Sequence, residues 1–536
     1  MRGKTPFHTT ISPKSCATEP FILKRQQRPG YFLDAIFHTW QDAIYRRMRQ
    51  AYTHYRARGS VRATAARLRV GKPRPYEPDA VRTAGGKPQP QALLPLVVFF
   101  APCVATREAH MSTTLCSQNA ALRGLLDTHL AALASEEGLT PETIIAGLEA
   151  GTMVLLGNPA HAGLKPILVG QPAKVKVNAN IGTSPLNNCP NTEERKIHAA
   201  LDAGADTVMD LSIAGDLDAL RLGMLAACPR PLGTVPLYAV GQQILDADRE
   251  IASMNPDDLF DEIAKQAAQG VDFVTVHCGL SRRGAEMAVK NNRVLGIVSR
   301  GGSMLARWML ENNRENPLLE YFDRLLDICR PYNVTLSLGD GLRPGAGVDA
   351  GDAAQWEEVI NLGRLAKYAL ERGVQCMIEG PGHVPLNQVR TQIQGIKRLT
   401  NNAPLYVLGP LCCDSAPGYD HIAGAIGGAL GVEAGVDFLC YLTPAEHLTL
   451  PDEADVRAGV MASRVAAQVG ETALGRPHAV AREAAMNAAR KALDWEGMSK
   501  AALDPQMLEK RREDHKTEEV CAMCGKFCSV KMLRDH

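Results

Sequence analysis

No apolar run in this sequence is long enough to cross a bilayer. The longest, residues 92–101, is interrupted by Pro95 and is about half as long as the roughly 20 residues a spanning helix needs. It also lies too far into the chain to be a signal peptide. A disulfide framework is missing as well: the 14 cysteines follow no regular spacing, and adjacent Cys412 and Cys413 make a poor bridge. Scattered thiols without a secretory leader point to a reducing cytoplasm and to no membrane partner. Net charge is almost nil at +1, which over the whole chain argues neither for nor against nucleic acid. With 536 residues the chain exceeds one compact core, so two or three domains are expected.

Charge is unevenly placed. Residues 1–110 carry 19 Lys and Arg against 6 Asp and Glu, whereas the remainder carries 40 against 52. The first part is broken by Pro and Gly, and such Arg-rich sequence seldom builds a core. Residues 1–110 are therefore read as a basic extension, disordered or outside the mature protein, since Met111 opens a stretch of different character. The alternative is a DNA-binding arm. Ile36, Trp40, Ile44 and Met48 recur four apart, and residues 59–70 weakly resemble a helix-turn-helix.

A small helical lead-in is expected over residues 111–170, with Thr140-Pro141 as cap and first-turn proline. Beyond it, β-branched runs alternate with amphipathic helical stretches. The runs are 175–180, 207–211, 234–238, 273–277, 295–300, 334–340, 376–379, 405–408 and 438–442. Helical stretches such as 257–269, 318–330 and 354–372 lie between several of them. Serial βα repetition predicts an α/β fold, a parallel (β/α)8 TIM-type barrel over residues 171–455. Nine candidate strands compete for eight places. Residues 456–536 are read as C-terminal helices and a cysteine-rich tail.

Active sites of such barrels form at the carboxyl ends of the strands. Those ends carry Asn180, Met209, Tyr238, His277, Ser299-Arg300-Gly301-Gly302, Asp340-Gly341-Leu342-Arg343, Glu379 and Tyr406. Polar groups at so many successive ends would be costly to bury without a ligand, so they are read as one pocket. Ser299-Arg300-Gly301 and Arg343 suit a phosphate: Arg offers a fixed fork of donors, and glycine admits close approach of backbone N–H groups. His383, beside the turn Gly380-Pro381-Gly382, and His447 are two loop histidines. They are candidate metal ligands, or hydrogen-bonding residues if unpaired in space.

The tail holds Cys521, Cys524 and Cys528 within eight residues. Three thiolates can hold three irons of a 4Fe–4S cube and leave the fourth iron open for a cofactor or substrate. The alternative is a zinc knuckle, which wants four ligands and has only His515 and His536 nearby.

These stretches together resemble the phosphomethylpyrimidine synthase (thiamin pyrimidine synthase) family of radical S-adenosylmethionine enzymes. The resemblance spans roughly residues 140–532 and rests on Val177-Asn178-Ala179-Asn180, Gly296-Ile297-Val298-Ser299-Arg300-Gly301-Gly302, Leu338-Gly339-Asp340-Gly341-Leu342-Arg343-Pro344, Glu379-Gly380-Pro381-Gly382-His383 and the terminal cysteines. It implies a homodimeric lyase acting on 5-aminoimidazole ribotide. The substrate would be held by Asn180, Met209, Tyr238, His277, Ser299, Arg300, Gly301, Asp340, Gly341, Leu342, Arg343, Glu379 and Tyr406. It further implies a 4Fe–4S cluster on Cys521, Cys524 and Cys528, and a second metal, zinc or iron, on His383 and His447. S-adenosylmethionine would be cleaved to a 5′-deoxyadenosyl radical with an electron from a flavodoxin- or ferredoxin-type donor. Nucleic acid is not expected as a partner.

Several positions depart from the family pattern. Three residues rather than four separate Cys524 from Cys528, and Cys278, Cys412-Cys413, Thr449 and Ile213-Ala214 replace more usual residues. Such changes around a retained binding set suggest the paralogue, 5-hydroxybenzimidazole synthase, which serves cobalamin lower-ligand synthesis from the same ribotide. The thiamin enzyme is the alternative. A DNA-binding regulator with a ligand-sensing barrel has no use for three clustered thiols. A zinc hydrolase built on His383 and His447 would act without S-adenosylmethionine or reductant. Replacing Cys524→Ala is expected to abolish S-adenosylmethionine cleavage while leaving far-UV circular dichroism unchanged; normal cleavage would rule out the cluster assignment.

Overall fold

The computed structural model describes residues 114–532 except position 292. The basic extension, its helix-turn-helix-like stretch, Met111 and His536 lie outside the described residues. Thr140 starts the helix Pro141–Glu149 as its spelling suggests: its hydroxyl accepts the Thr143 N–H at 3.2 Å, and Pro141 occupies the first turn where no N–H is needed. This helix and Ala120–Glu137 pack on an antiparallel pair of strands, β1 (Val154–Leu156) and β2 (Ile167–Val169). The pair works as a two-faced layer because side chains alternate along a strand. Leu155 and Leu168 face the helices Ala120–Glu137 and Pro141–Glu149, while Val154, Leu156, Ile167 and Val169 join the barrel core.

Eight parallel strands close the barrel: β3 (Lys176–Ile181), β4 (Thr207–Asp210), β5 (Leu232–Thr234), β6 (Phe273–Val276), β7 (Thr335–Leu338), β8 (Cys376–Glu379), β9 (Leu405–Leu408) and β10 (Phe438–Cys440). They neighbour one another in chain order, and β10 pairs with β3 to complete the ring. The predicted (β/α)8 class holds.

The ninth candidate, residues 295–300, is not a strand. Gly296 turns the chain with φ of 66°, and Ser299 caps the helix Arg300–Asn312 by accepting the Gly302 N–H. A β-branched run alone could not reveal that cap. The candidate strand 234–238 is also corrected. β5 ends at Thr234, and Pro236 opens the helix Pro236–Asp246, so Tyr238 stands on a helical first turn. The expected helix over 318–330 is two helices, Pro317–Glu320 and Phe322–Cys329, parted at Tyr321.

Aromatic rings fill the barrel floor. Tyr406 stacks on Phe438 with ring centroids 4.3 Å apart, and Phe273 meets Phe438 edge-on at 6.5 Å. Gly233 makes the room, since a Cβ there would lie 2.2 Å from the Phe273 ring. Just before β6, fully buried Asp272 accepts the backbone N–H groups of Asn158 and Leu232 and pairs with His161 Nδ1, each at 2.7 Å. One carboxylate thus ties the loop after β1 to the start of two barrel strands. Among the described residues no helix is long and apolar enough to cross a membrane. Asp272→Ala leaves His161 Nδ1 and the Asn158 and Leu232 amides without the carboxylate they share. It is expected to cost about 3–5 kcal/mol, read as a lower midpoint in urea denaturation.

Candidate active site

Eight of the predicted residues line a single cavity at the carboxyl ends of the strands. Asn180, Met209, Tyr238, His277, Asp340, Arg343, Glu379 and Tyr406 surround it, with Thr275 and Cys440 between them. A second groove lies between the helices Pro190–Asp202 and Leu217–Ala227 and is lined by none of the predicted residues.

The inward period of two explains the lining. Asn178 and Asn180 sit two apart on β3, and Asn178 Nδ2 donates to Asn180 Oδ1 at 2.7 Å and to the Tyr406 hydroxyl at 2.8 Å. Thr207 donates to Asn178 Oδ1 at 2.7 Å, and Asn180 Nδ2 donates to Cys440 Sγ at 3.0 Å. Across the barrel, Thr275 and Ser337 hydroxyls both donate to Glu379 Oε1 at 2.7 Å. The polar layer is therefore cross-braced, as buried polar groups must be.

Burial governs the charge state of the pocket. It pushes the Asp340 carboxyl up to about 8 against the opposing pull of Arg343, whose Nη1 lies 3.1 Å from Asp340 Oδ1. Burial likewise raises Glu379, although the two hydroxyls hold it down. His277 is driven down to about 3 by burial and then by Arg343, so it is neutral at physiological pH. Its Nε2 lies 2.9 Å from the Ser299 hydroxyl, and its Nδ1 has no partner among the described residues. The Cys440 thiol is pushed up to about 12 by burial. Arg343 keeps its charge.

An anion cradle adjoins these groups. Ser299-Arg300-Gly301 begins a helix; the Ser299 hydroxyl takes the Gly302 N–H, and the N–H groups of Arg300 and Gly301 have no carbonyl partner within the helix, a setting that favours negative charge. Two glycines are needed here. A Cβ on Gly301 would meet His277 Cε1 at 2.3 Å, and one on Gly302 would meet the Gly341 carbonyl oxygen at 2.5 Å. The helix start can thus press against His277 and the loop after β7. The Arg300 guanidinium lies over the Tyr238 ring, 4.7 Å from its centroid.

Five predicted positions do not line the cavity: Ser299, Arg300 and Gly301, which lie against His277 and Tyr238, and Gly341 and Leu342. Leu342 is completely buried in the barrel core, and its N–H donates to Glu358 Oε2 at 2.7 Å. Gly341 lies beside the same carboxylate, its would-be Cβ 3.1 Å from Glu358 Oε1. Both support the loop that presents Asp340 and Arg343 and do not line the cavity.

His383 and His447 come from the loops after β8 and β10, and their ring centroids are 5.4 Å apart. Two imidazoles on one ion about 2 Å from each nitrogen would place their centroids about 5 Å apart, so the pair fits a shared metal. Among the described residues no three His, Cys, Asp or Glu converge on one ion. A cube differs, because each thiolate binds its own iron. Cys521, Cys524 and Cys528 lie on one tight turn around the short helix Gly525–Phe527. Backbone N–H groups of Cys524 and Met523 lower the Cys521 thiol, which in turn raises Cys524. The turn is tied to the C-terminal helices: Trp495 Nε1 donates to Glu519 O at 2.9 Å, and Arg512 Nη2 to Glu518 O at 2.7 Å.

Residues 116–535 match the model of the radical SAM ThiC family. The chain belongs to that family. A "Phosphomethylpyrimidine synthase" of Desulforamulus reducens is 48% identical over 419 residues, covering 78% of this chain and 97% of its own. Relatives of the same name in Dehalococcoides mccartyi and Geobacter metallireducens are also 48% identical, over 78% and 77% of this chain and 97% and 96% of theirs. A dihydropteroate synthase structure from Thermus thermophilus covers 59% of this chain and 99% of its own at 12% identity and a TM-score of 0.35, too remote to inform the chemistry.

As a member of the radical SAM ThiC family the chain is an enzyme that uses a 4Fe–4S cluster and S-adenosylmethionine, and the three-cysteine turn fits the cluster. Sequence reading missed Asn178, Thr275 and Cys440, although each lies two residues from a recognised or aromatic inward position, and Ser337, which lies between Thr335 and Gly339 and has no such neighbour. It also missed Glu358, which no local pattern marks. Below its ionisation at about 8, protonated Asp340 leaves Arg343 free for an anion; above it the two neutralise each other. Sulfate, which does not titrate in this range, is therefore expected to bind more weakly as pH rises through 8. Asp340→Asn is expected to flatten that profile in calorimetric titrations.

Proposed function

We propose that this enzyme converts 5-aminoimidazole ribotide to 4-amino-5-hydroxymethyl-2-methylpyrimidine phosphate, the phosphomethylpyrimidine synthase reaction. The observation that carries the reading is that the helix start at Ser299-Arg300-Gly301 lies against His277 and Tyr238, two of the residues that line the cavity with Arg343. The ribotide's phosphate would rest on the N–H groups of Ser299-Arg300-Gly301 and on Arg343, while Asn180, Met209, Tyr238, His277, Glu379 and Tyr406 surround the sugar and base. Neutral His277 would offer its unpartnered Nδ1, and protonated Asp340 would donate a hydrogen bond without repelling the phosphate. Gly341 and Leu342 would hold their loop in place.

The cluster on Cys521, Cys524 and Cys528 would supply the electron that cleaves S-adenosylmethionine. The protein's own work is to orient the ribotide and keep water out. His383 and His447 would hold a second metal, zinc or iron. A flavodoxin- or ferredoxin-type donor and a homodimer complete the reading.

The relatives' names favour the thiamin product over 5-hydroxybenzimidazole, and so does the placement of the departures. Cys278 is buried in the core, Cys412 donates to Ala423 O, and Cys413 is exposed; none of them lines the cavity. Side chains that do not reach the substrate have little means of redirecting a rearrangement. Anaerobic incubation of the reconstituted enzyme with the ribotide, S-adenosylmethionine and a strong reductant tests the reading by mass spectrometry. The phosphorylated pyrimidine is expected; 5-hydroxybenzimidazole instead would overturn the proposal in favour of the paralogue.

A further inference from the structure

The loop after β9 reaches both candidate metal-binding histidines. In the ring of strands β9 lies between β8 and β10, whose own loops carry His383 and His447. Asp414, early in that loop, places Oδ1 2.8 Å from His383 Nδ1, and its Oδ2 accepts the Gly347 N–H at 2.7 Å. Asp420, at the start of the helix Asp420–Ala434, places Oδ1 3.3 Å from His447 Nδ1. Asp420 is buried, its side chain 8% exposed, and its Oδ2 has no partner among the described residues.

Both imidazoles are thus engaged at the same atom, each by its own carboxylate. An imidazole that donates Nδ1–H to a carboxylate carries its lone pair on Nε2, and the anion makes that nitrogen a stronger donor to a cation. The backbone adds to the constraint. The His383 N–H is held by Pro344 O at 3.1 Å, and His447 adopts φ of 61°, a left-handed conformation that a residue with a Cβ adopts rarely and that tertiary contacts must hold.

We infer that Asp414 and Asp420 are positioning residues for a two-histidine metal centre, and that the single loop after β9 sets the tautomer and spacing of both ligands. This rests on the proposal that His383 and His447 share a metal. An ion held by only two protein nitrogens keeps open positions for cofactor or substrate atoms. The carboxylates supply the preorganisation that a third and fourth protein ligand would otherwise give.

Zinc affinity of the full-length protein, measured by competition with a chromophoric chelator, tests the inference. A variant carrying both His383→Ala and His447→Ala identifies the zinc equivalent belonging to the pair. Asp414→Asn and Asp420→Asn are each expected to weaken that equivalent about 10- to 100-fold while the metal-free melting temperature stays unchanged. Asp414→Asn should have no further effect in a His383→Ala background. Wild-type affinity in both Asn variants would overturn the inference and leave the two-histidine reading intact. An equal loss in the His383→Ala background, or a lowered metal-free melting temperature, would make the carboxylates structural and overturn it as well. If the double histidine variant keeps every zinc equivalent, the two-histidine reading fails and takes the inference with it.

Discussion

Closing eight parallel strands into a ring sends every second side chain inward and gives it nowhere else to go. That constraint shapes the rest of the molecule. The amino-terminal half of the interior is filled by the rings of Phe273, Tyr406 and Phe438, so the remaining inward positions sit above an apolar floor. Any polar group placed there must find partners within the ring or be met by a ligand. Asn178, Thr275, Ser337 and Glu379 take the first course. His277 Nδ1 and Asp340 Oδ2 have no partner among the described residues.

The electrostatic consequence is a pocket that is cationic without being crowded with cations. Burial holds His277 neutral and favours the protonated form of Asp340, while Arg343 stays charged. The helix beginning at Arg300 adds the partial positive charge of its first N–H groups. A phosphate ester suits such a surface, because its negative charge is met by fixed donors and not by mobile solvent. Glycine at 301 and 302 is part of the same arrangement, since any larger residue would push the helix start away from His277 and Gly341.

The redox and barrel chemistries rest on different supports. The cysteine turn is tied to the helices Trp495–Ala501 and Pro505–Arg512 by Trp495 and Arg512. The histidine pair belongs to barrel loops on either side of β9. The candidate ligands thus come from different parts of the chain, barrel loops for the histidine pair and the C-terminal segment for the cysteines.

Much of this was legible in order along the chain. The βα alternation declared the barrel, and Thr140-Pro141 declared a helix start, because helix caps and strand periodicity are local and are written in neighbouring residues. Cys521, Cys524 and Cys528 were equally plain, since a turn that gathers three thiols needs only short spacing. Tertiary structure alone decided which of nine β-like runs was surplus. Residues 295–300 have strand composition, yet their partners are a capped helix and the loop after β7, both remote in sequence or specified by one serine. It alone showed Glu358 beneath Leu342, and Asp414 and Asp420 behind the two histidines. The sequence by itself thus determined the family, the barrel and most of the side chains that gather at the strand ends. Their ionisation and the carboxylates beside the two loop histidines were decided only by folding, because desolvation and hydrogen bonding depend on groups that the chain brings together from many residues away.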